Sequence, residues 1–305
     1  MTAARPGASA PRPLLIAHRG ASAHLPEHTL PAYALAALQG ADYLEPDLAM
    51  TADGALIARH DNRLDLSTDV AHRPEFASRR TTRTVDGHTA SGWFCEDFTL
   101  AEIRTLRAIE RIPALRPGNA RHDGLYAIPT LAEIIALARA LEGVVGRRLG
   151  LYPEAKHPSH FAARGLDVAG TLVGALHDAG YRTRTDPVFV QCFEPGTLRR
   201  LRGLTDLPLV QLLDASGAPA DGGPDYARMC TPSGLRDVAA WADAVGPAKA
   251  LVLGDWPAGA AAPAGTSFIA DAHAAGLAVH VWTLRPENAF LPPALRHGPV
   301  DSDWG

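Results

Sequence analysis

The chain has 305 residues, 47% of them apolar and 20% charged, with a formal net charge of −4. That is apolar enough for a sizeable core, and the weak negative charge provides no broad field to attract nucleic acid or an anionic membrane. Three scattered cysteines, Cys95, Cys192 and Cys230, exclude a disulfide framework and a structural zinc site.

No stretch reaches the roughly 18 consecutive apolar residues of a membrane span. Residues 1–13 are Pro/Ala-rich, lack the apolar core of a signal peptide and read as a flexible arm. The expected location is cytoplasmic, or periplasmic or secreted if a leader was trimmed.

Residues 14–17 form the first predicted strand and 27–39 a helix stopped by Gly40. Residues 42–49 form the second strand, which returns over the Ala52-Asp53-Gly54 turn into 55–59. From 65 to 92 the sequence is polar, rich in Arg and Thr and without a period; it reads as part of an insertion spanning about 62–128. Helices are expected at 99–107 and 130–141, each opened by a capping box, Thr99 with Glu102 and Thr130 with Glu133; residues 112–127 between them read as irregular.

The rhythm then becomes regular. Strands are expected at 149–154, 188–193, 209–213, 278–284 and 299–303, helices at 167–179, 195–203 and 268–275, and a mixed segment at 231–245. About eight strands alternating with helices favour a TIM (β/α)8 barrel, with residues 14–305 as one domain.

Chemistry gathers where the apolar runs end. Glu45 and Asp47, two apart on a strand, can face one point, and hard divalent cations favour such oxygen ligands. Pro46 between them donates no ladder hydrogen bond and marks an expected bulge. His18-Arg19 and His60-Asp61 end two further runs. Arginine suits phosphate oxygens, and histidine titrates near neutrality as a general acid or base must. Glu27 lies beside this group in a Pro-Glu-His-Thr turn, and Glu154 ends another strand with Lys156 two residues on.

These residues stand in motifs. His18-Arg19-Gly20-Ala21, Pro26-Glu27-His28-Thr29, Glu45-Pro46-Asp47, Asp53-Gly54 and His60-Asp61 together resemble the signature of the glycerophosphodiester phosphodiesterase family. The resemblance continues through residues 97–103, Glu154-Ala155-Lys156, Gln191-Cys192-Phe193 and residues 279–283, so it covers nearly the whole chain in order. It implies a TIM barrel with a small insertion after the second strand unit.

Carried over by position, the resemblance makes His18 and His60 the catalytic acid/base pair. It makes Glu45, Asp47 and Glu154 ligands of one divalent ion, Ca2+ or Mg2+ with Mn2+ possible. Arg19 and Lys156 become phosphate contacts, Glu27 a support close to the first histidine or Arg19, and Phe193 and Trp282 the wall around the glycerol or alcohol end. The implied reaction splits a glycerophosphodiester such as glycerophosphocholine or glycerophosphoethanolamine into glycerol 3-phosphate and an alcohol. Attack by water and attack by the substrate's own 2-hydroxyl are equally compatible with the residues, and either histidine could be the acid. Two alternatives stand beside this: phospholipase D-like or lyase action on lysophospholipids, which an exposed apolar rim at Trp93-Phe94 would favour, and a non-catalytic glycerophosphodiester-binding protein. Metal identity, head-group preference and oligomeric state are not legible.

Overall fold

Short apolar runs become the staves of a parallel barrel in the computed structural model, which describes residues 12–256 and 260–298. In chain order the strands are β1 (Ile16–His18), β2 (Tyr43–Glu45), β3 (Asp47–Met50), β4 (Leu56–Ala58), β5 (Thr81–Val85), β6 (His88–Gly92), β7 (Gly150–Leu151), β8 (Glu154–Ala155), β9 (Val190–Cys192), β10 (Leu209–Leu213), β11 (Ala244–Pro247) and β12 (Ala278–Val279). Parallel pairing runs from β1 to β2 and β2 to β7, then from β3 through β8, β9, β10 and β11 to β12. Strands β2 and β3 are one stave broken at Pro46, and β7 and β8 another broken at Tyr152 and Pro153.

The breaks have a physical cause. Each proline lacks a ladder donor, so the stave changes partner there while its carbonyls stay paired: Pro46 accepts from Glu154 N at 2.9 Å, and Pro153 from Gln191 N at 2.9 Å. Leu44, Leu48, Leu151, Val190, Leu209, Leu213 and Val245 fill the interior and its helical cover without solvent exposure. The chain has the TIM-barrel fold. The expected last strand, residues 299–303, lies outside the described residues, as does most of the predicted N-terminal arm.

Helices form the outer layer. Leu131–Val145 is the longest, with Leu131, Ile134, Ile135 and Ala138 buried along one face, the capping box of Thr130 and Glu133 formed, and Gly146 closing it at φ 68°. The helix expected at 27–39 is shorter, Leu30–Leu38, because Thr29 is the N-cap; Glu27 and His28 sit in the preceding turn. The helix expected at 99–107 is only Leu100–Ile103. Beyond Arg104 the chain is drawn off the helix, since Arg107 N donates to Asp69 and Ala108 pairs with Thr68.

The segment without a period holds 3-10 turns and an antiparallel hairpin, β5 with β6, around Asp86 (φ 48°) and Gly87 (φ 80°). The strand expected at 278–284 ends early, at Val279. Short helices at Tyr226–Met229 and Lys249–Leu253 were not legible from periodicity. No helix among the described residues is long and apolar enough to cross a membrane.

Candidate active site

Register brings the chemical side chains level at one end of the barrel. His18 on β1 is paired with Glu45 on β2, Asp47 on β3 with Glu154 on β8, and Glu154 with Gln191 on β9. His60 follows β4, which returns antiparallel to β3. Of the ten residues singled out from the sequence, all but Glu27 line one cavity of about 1840 Å³.

Glu45, Asp47 and Glu154 are buried and offer oxygens within 4.8 Å of one another. Three carboxylates packed together cannot all hold charge without compensation. Burial, with Asp47 and Glu154 beside it, pushes Glu45 well above the usual carboxylate range. Burial likewise pushes Glu154 up to about 8, against the pull of Lys156. Asp47 goes the other way: burial opposes its charge, but Lys156 and the hydrogen bond from His28 hold it well below the ordinary value. An all-oxygen set of this kind fits a hard divalent cation, which would replace the proton now needed to keep the acids together.

The two cations expected at the phosphate are also tied to this trio. Lys156 Nζ lies 2.9 Å from Glu154, and Arg19 Nε 3.2 Å from Asp47. Arg19 Nη1 donates to Glu27 at 2.9 Å, which places Glu27 behind the arginine rather than in the cavity. Arg19 (φ 62°) and Gly20 (φ 82°) both take left-handed backbone. A Cβ on Gly20 would come within 2.8 Å of Ala32, so the turn that presents Arg19 requires glycine there.

Both histidines are kept neutral. Burial and the neighbouring Arg19 lower His18 well below the ordinary imidazole range. Burial, Lys156 and Arg19 lower His60 to about 3. Asp61 Oδ2 lies 3.2 Å from His60 Nδ1, placing a carboxylate beside the imidazole. At the far side, Phe193 and Trp282 meet edge to face with ring centroids 5.9 Å apart, and Trp282 Nε1 donates to the Gly246 carbonyl at 2.7 Å.

Several residues that hold this arrangement carried no sequence signal strong enough to single them out. His28 Nε2 lies 3.0 Å from Asp47 while its Nδ1 meets the Tyr33 hydroxyl at 2.8 Å. Gln191 Nε2 donates to Glu45 at 2.9 Å. Arg111, within the expected insertion, bridges Glu27 and Asp61. The Pro-Glu-His-Thr and Gln-Cys-Phe motifs contained two of these residues; Arg111 stands in no pattern at all.

A family model, the glycerophosphoryl diester phosphodiesterase family, matches residues 18–296. Glycerophosphodiester phosphodiesterase GDPD6 of Arabidopsis thaliana is 34% identical over 293 residues, 92% of this chain and 76% of the relative. The glycerophosphodiester phosphodiesterase of Haemophilus influenzae is 35% identical over 260 residues, 77% of this chain and 68% of the relative. Among solved structures, an Oleispira antarctica phosphodiesterase in complex with the product sn-glycerol-3-phosphate superposes with a TM-score of 0.60 at 20% identity, covering 90% of this chain and 86% of that one. An Agrobacterium tumefaciens glycerophosphodiester phosphodiesterase gives 0.57 at 21% identity, covering 90% and 89%. At these identities the two structures speak to the fold.

Proposed function

The chain belongs to the glycerophosphoryl diester phosphodiesterase family, and from that premise we propose that it hydrolyses glycerophosphodiesters such as glycerophosphocholine to sn-glycerol 3-phosphate and an alcohol, with His18 and His60 as the acid/base pair. Phosphodiesterase activity on glycerophosphodiesters follows from the membership. The residue roles and the metal dependence are our reading. One observation carries it: two half-buried histidines held neutral and a trio of buried carboxylates, delivered by separate strand ends, line one cavity.

Glu45, Asp47 and Glu154 would hold a divalent ion, which supplies a Lewis acid against the charge that builds on the phosphoryl oxygens. The chain's own residues do the remainder. Arg19 and Lys156 add positive charge beside the phosphate in a site shielded from water, where it counts for most. A neutral imidazole takes the proton of the attacking hydroxyl, and its partner returns one to the leaving alkoxide. That partner must first gain a proton, and the anionic diester entering between the histidines raises its affinity for one. Phe193 and Trp282 give the uncharged end of the substrate an apolar wall.

An exposed apolar rim at Trp93-Phe94 would favour the lysophospholipid alternative, and both residues are buried. The test offers the purified protein glycerophosphocholine and lysophosphatidylcholine side by side. Release of sn-glycerol 3-phosphate from the first, abolished in His18→Ala and in His60→Ala, is expected. Turnover of lysophosphatidylcholine alone would replace this reading, and specific binding without turnover of either would make the protein a binder.

A further inference from the structure

Seven cationic side chains line the cavity, and six of them have a carboxylate within 4.0 Å. The pairs are Arg12 with Asp42, Arg19 with Glu27, Arg63 with Asp65, Arg83 with Glu96, Arg116 with Glu287 and Lys156 with Glu154. Arg285 is the seventh. Among the described residues it has no such partner, and the carboxylate of its own loop, Glu287, is taken by Arg116.

The position is not that of a freely solvated surface arginine. Arg285 is half-buried, and its guanidinium lies 4.5 Å above the Phe290 ring. Its charge is felt by His18, and Arg19 and Arg116 press on it in turn. Arg19 and Arg116 each hold a carboxylate, so among the described residues Arg285 brings a charge to this partly desolvated wall without a counter-ion in contact, an arrangement that an anion entering the cavity relieves. Arg19 and Lys156 have part of their hydrogen-bonding capacity committed to Glu27 and Glu154. Arg285 has its whole fork to offer, and a guanidinium fork matches a phosphoryl group in two-point contact.

We propose that Arg285 is a substrate-binding residue held in reserve for the phosphoryl oxygens, and that it grips the dianionic monoester product more strongly than the monoanionic diester. The inference rests on the phosphodiesterase reading above. It also gives Arg285 a role in product release, since a cation that favours the dianion retards its departure.

The test is calorimetric titration of sn-glycerol 3-phosphate into the protein loaded with the divalent ion that supports turnover. Wild type is compared with Arg285→Gln, which keeps a flat group over Phe290 without the charge, and with Arg285→Lys. The Gln variant should bind the product about tenfold more weakly or worse, as loss of a charge-assisted hydrogen bond implies. Its KM for glycerophosphocholine should rise by a smaller factor, the Lys variant should fall between, and all three should melt together. Product binding by Arg285→Gln equal to wild type would overturn the proposal. A lowered melting temperature with unchanged product binding would overturn it too, leaving Arg285 a support for Phe290. Failure of the wild type to bind sn-glycerol 3-phosphate at all would instead overturn the reading of the site, and this proposal with it.

Discussion

Arg111 and Glu27 lie 84 positions apart in the chain and are joined by two hydrogen bonds, from Nε at 2.9 Å and Nη2 at 2.7 Å, both to Glu27 Oε1. The same guanidinium donates through Nη1 to Asp61 at 2.5 Å. Glu27 in turn accepts from Arg19, and Asp61 sits against His60. One residue beyond the second strand unit thus ties together the supports of a histidine and a phosphate-side cation.

Arg111→Ala should therefore cost more than an exposed arginine would. It leaves Glu27 buried with one fewer counter-ion and releases Asp61, so a loss of roughly 2–4 kcal/mol in stability is expected, together with about tenfold slower turnover as His60 loses its brace. Arg111→Lys should recover little of either, because a point charge cannot span both carboxylates. Thermal melting and steady-state kinetics on the same preparations check this.

The outer partners of the carboxylate trio should govern metal affinity without touching the ion. Gln191 donates to Glu45, and His28 lies against Asp47. Gln191→Ala and His28→Ala are each expected to weaken divalent-ion binding by about 10–100-fold while the protein stays folded. Glu154→Gln should be worse than either. Titration of the metal-free proteins with Mn2+, followed by its magnetic resonance signal, measures all three.

Metal uptake should depend on pH with a definite sign. In the metal-free protein, burial raises Glu45 well above its ordinary value and Glu154 to about 8, so below that pH the trio retains protons that a cation must displace. Affinity should fall as pH drops from about 8 towards 6, with proton release on binding. Calorimetry in buffers of different ionisation enthalpy reads the number of protons, and a pH-independent affinity over that range would contradict the electrostatic account.

The turn after β1 should tolerate no side chain beyond glycine at its second position. Gly20→Ala both forces alanine to φ near 82° and drives its Cβ to 2.8 Å from the Ala32 backbone. A loss of roughly 2–3 kcal/mol is expected from strain of this kind, with weakened activity because Arg19 shares the turn. Urea unfolding of the variant gives the stability and shows whether the slope changes.

Much of the site was legible because residues placed at strand ends announce themselves. Apolar runs terminating in His18, Glu45 and Glu154 suit the ends of buried parallel staves, and the run before His60 returns antiparallel beside them. Pro46 also declared the break that the structure contains. What the sequence hid falls into two kinds. The hairpin of β5 and β6 buries only Gly92, so no alternation of apolar and polar residues marks it; its one local signal is the Asp86-Gly87 turn. Arg111 and Arg285 come from loops, where no period constrains a residue and its partner is set by the folded path of the chain. Glu27 was expected near the first histidine or Arg19, and it is the arginine that it meets.

The measurement that bears most directly on the whole account is hydrolysis of glycerophosphocholine by metal-stripped protein, with and without Ca2+, Mg2+ or Mn2+. The account predicts release of sn-glycerol 3-phosphate only when one of these ions is restored, and its loss in the Glu45→Gln protein at ion concentrations that saturate the wild type. Full turnover by the stripped protein, or turnover undiminished in that variant, would contradict it.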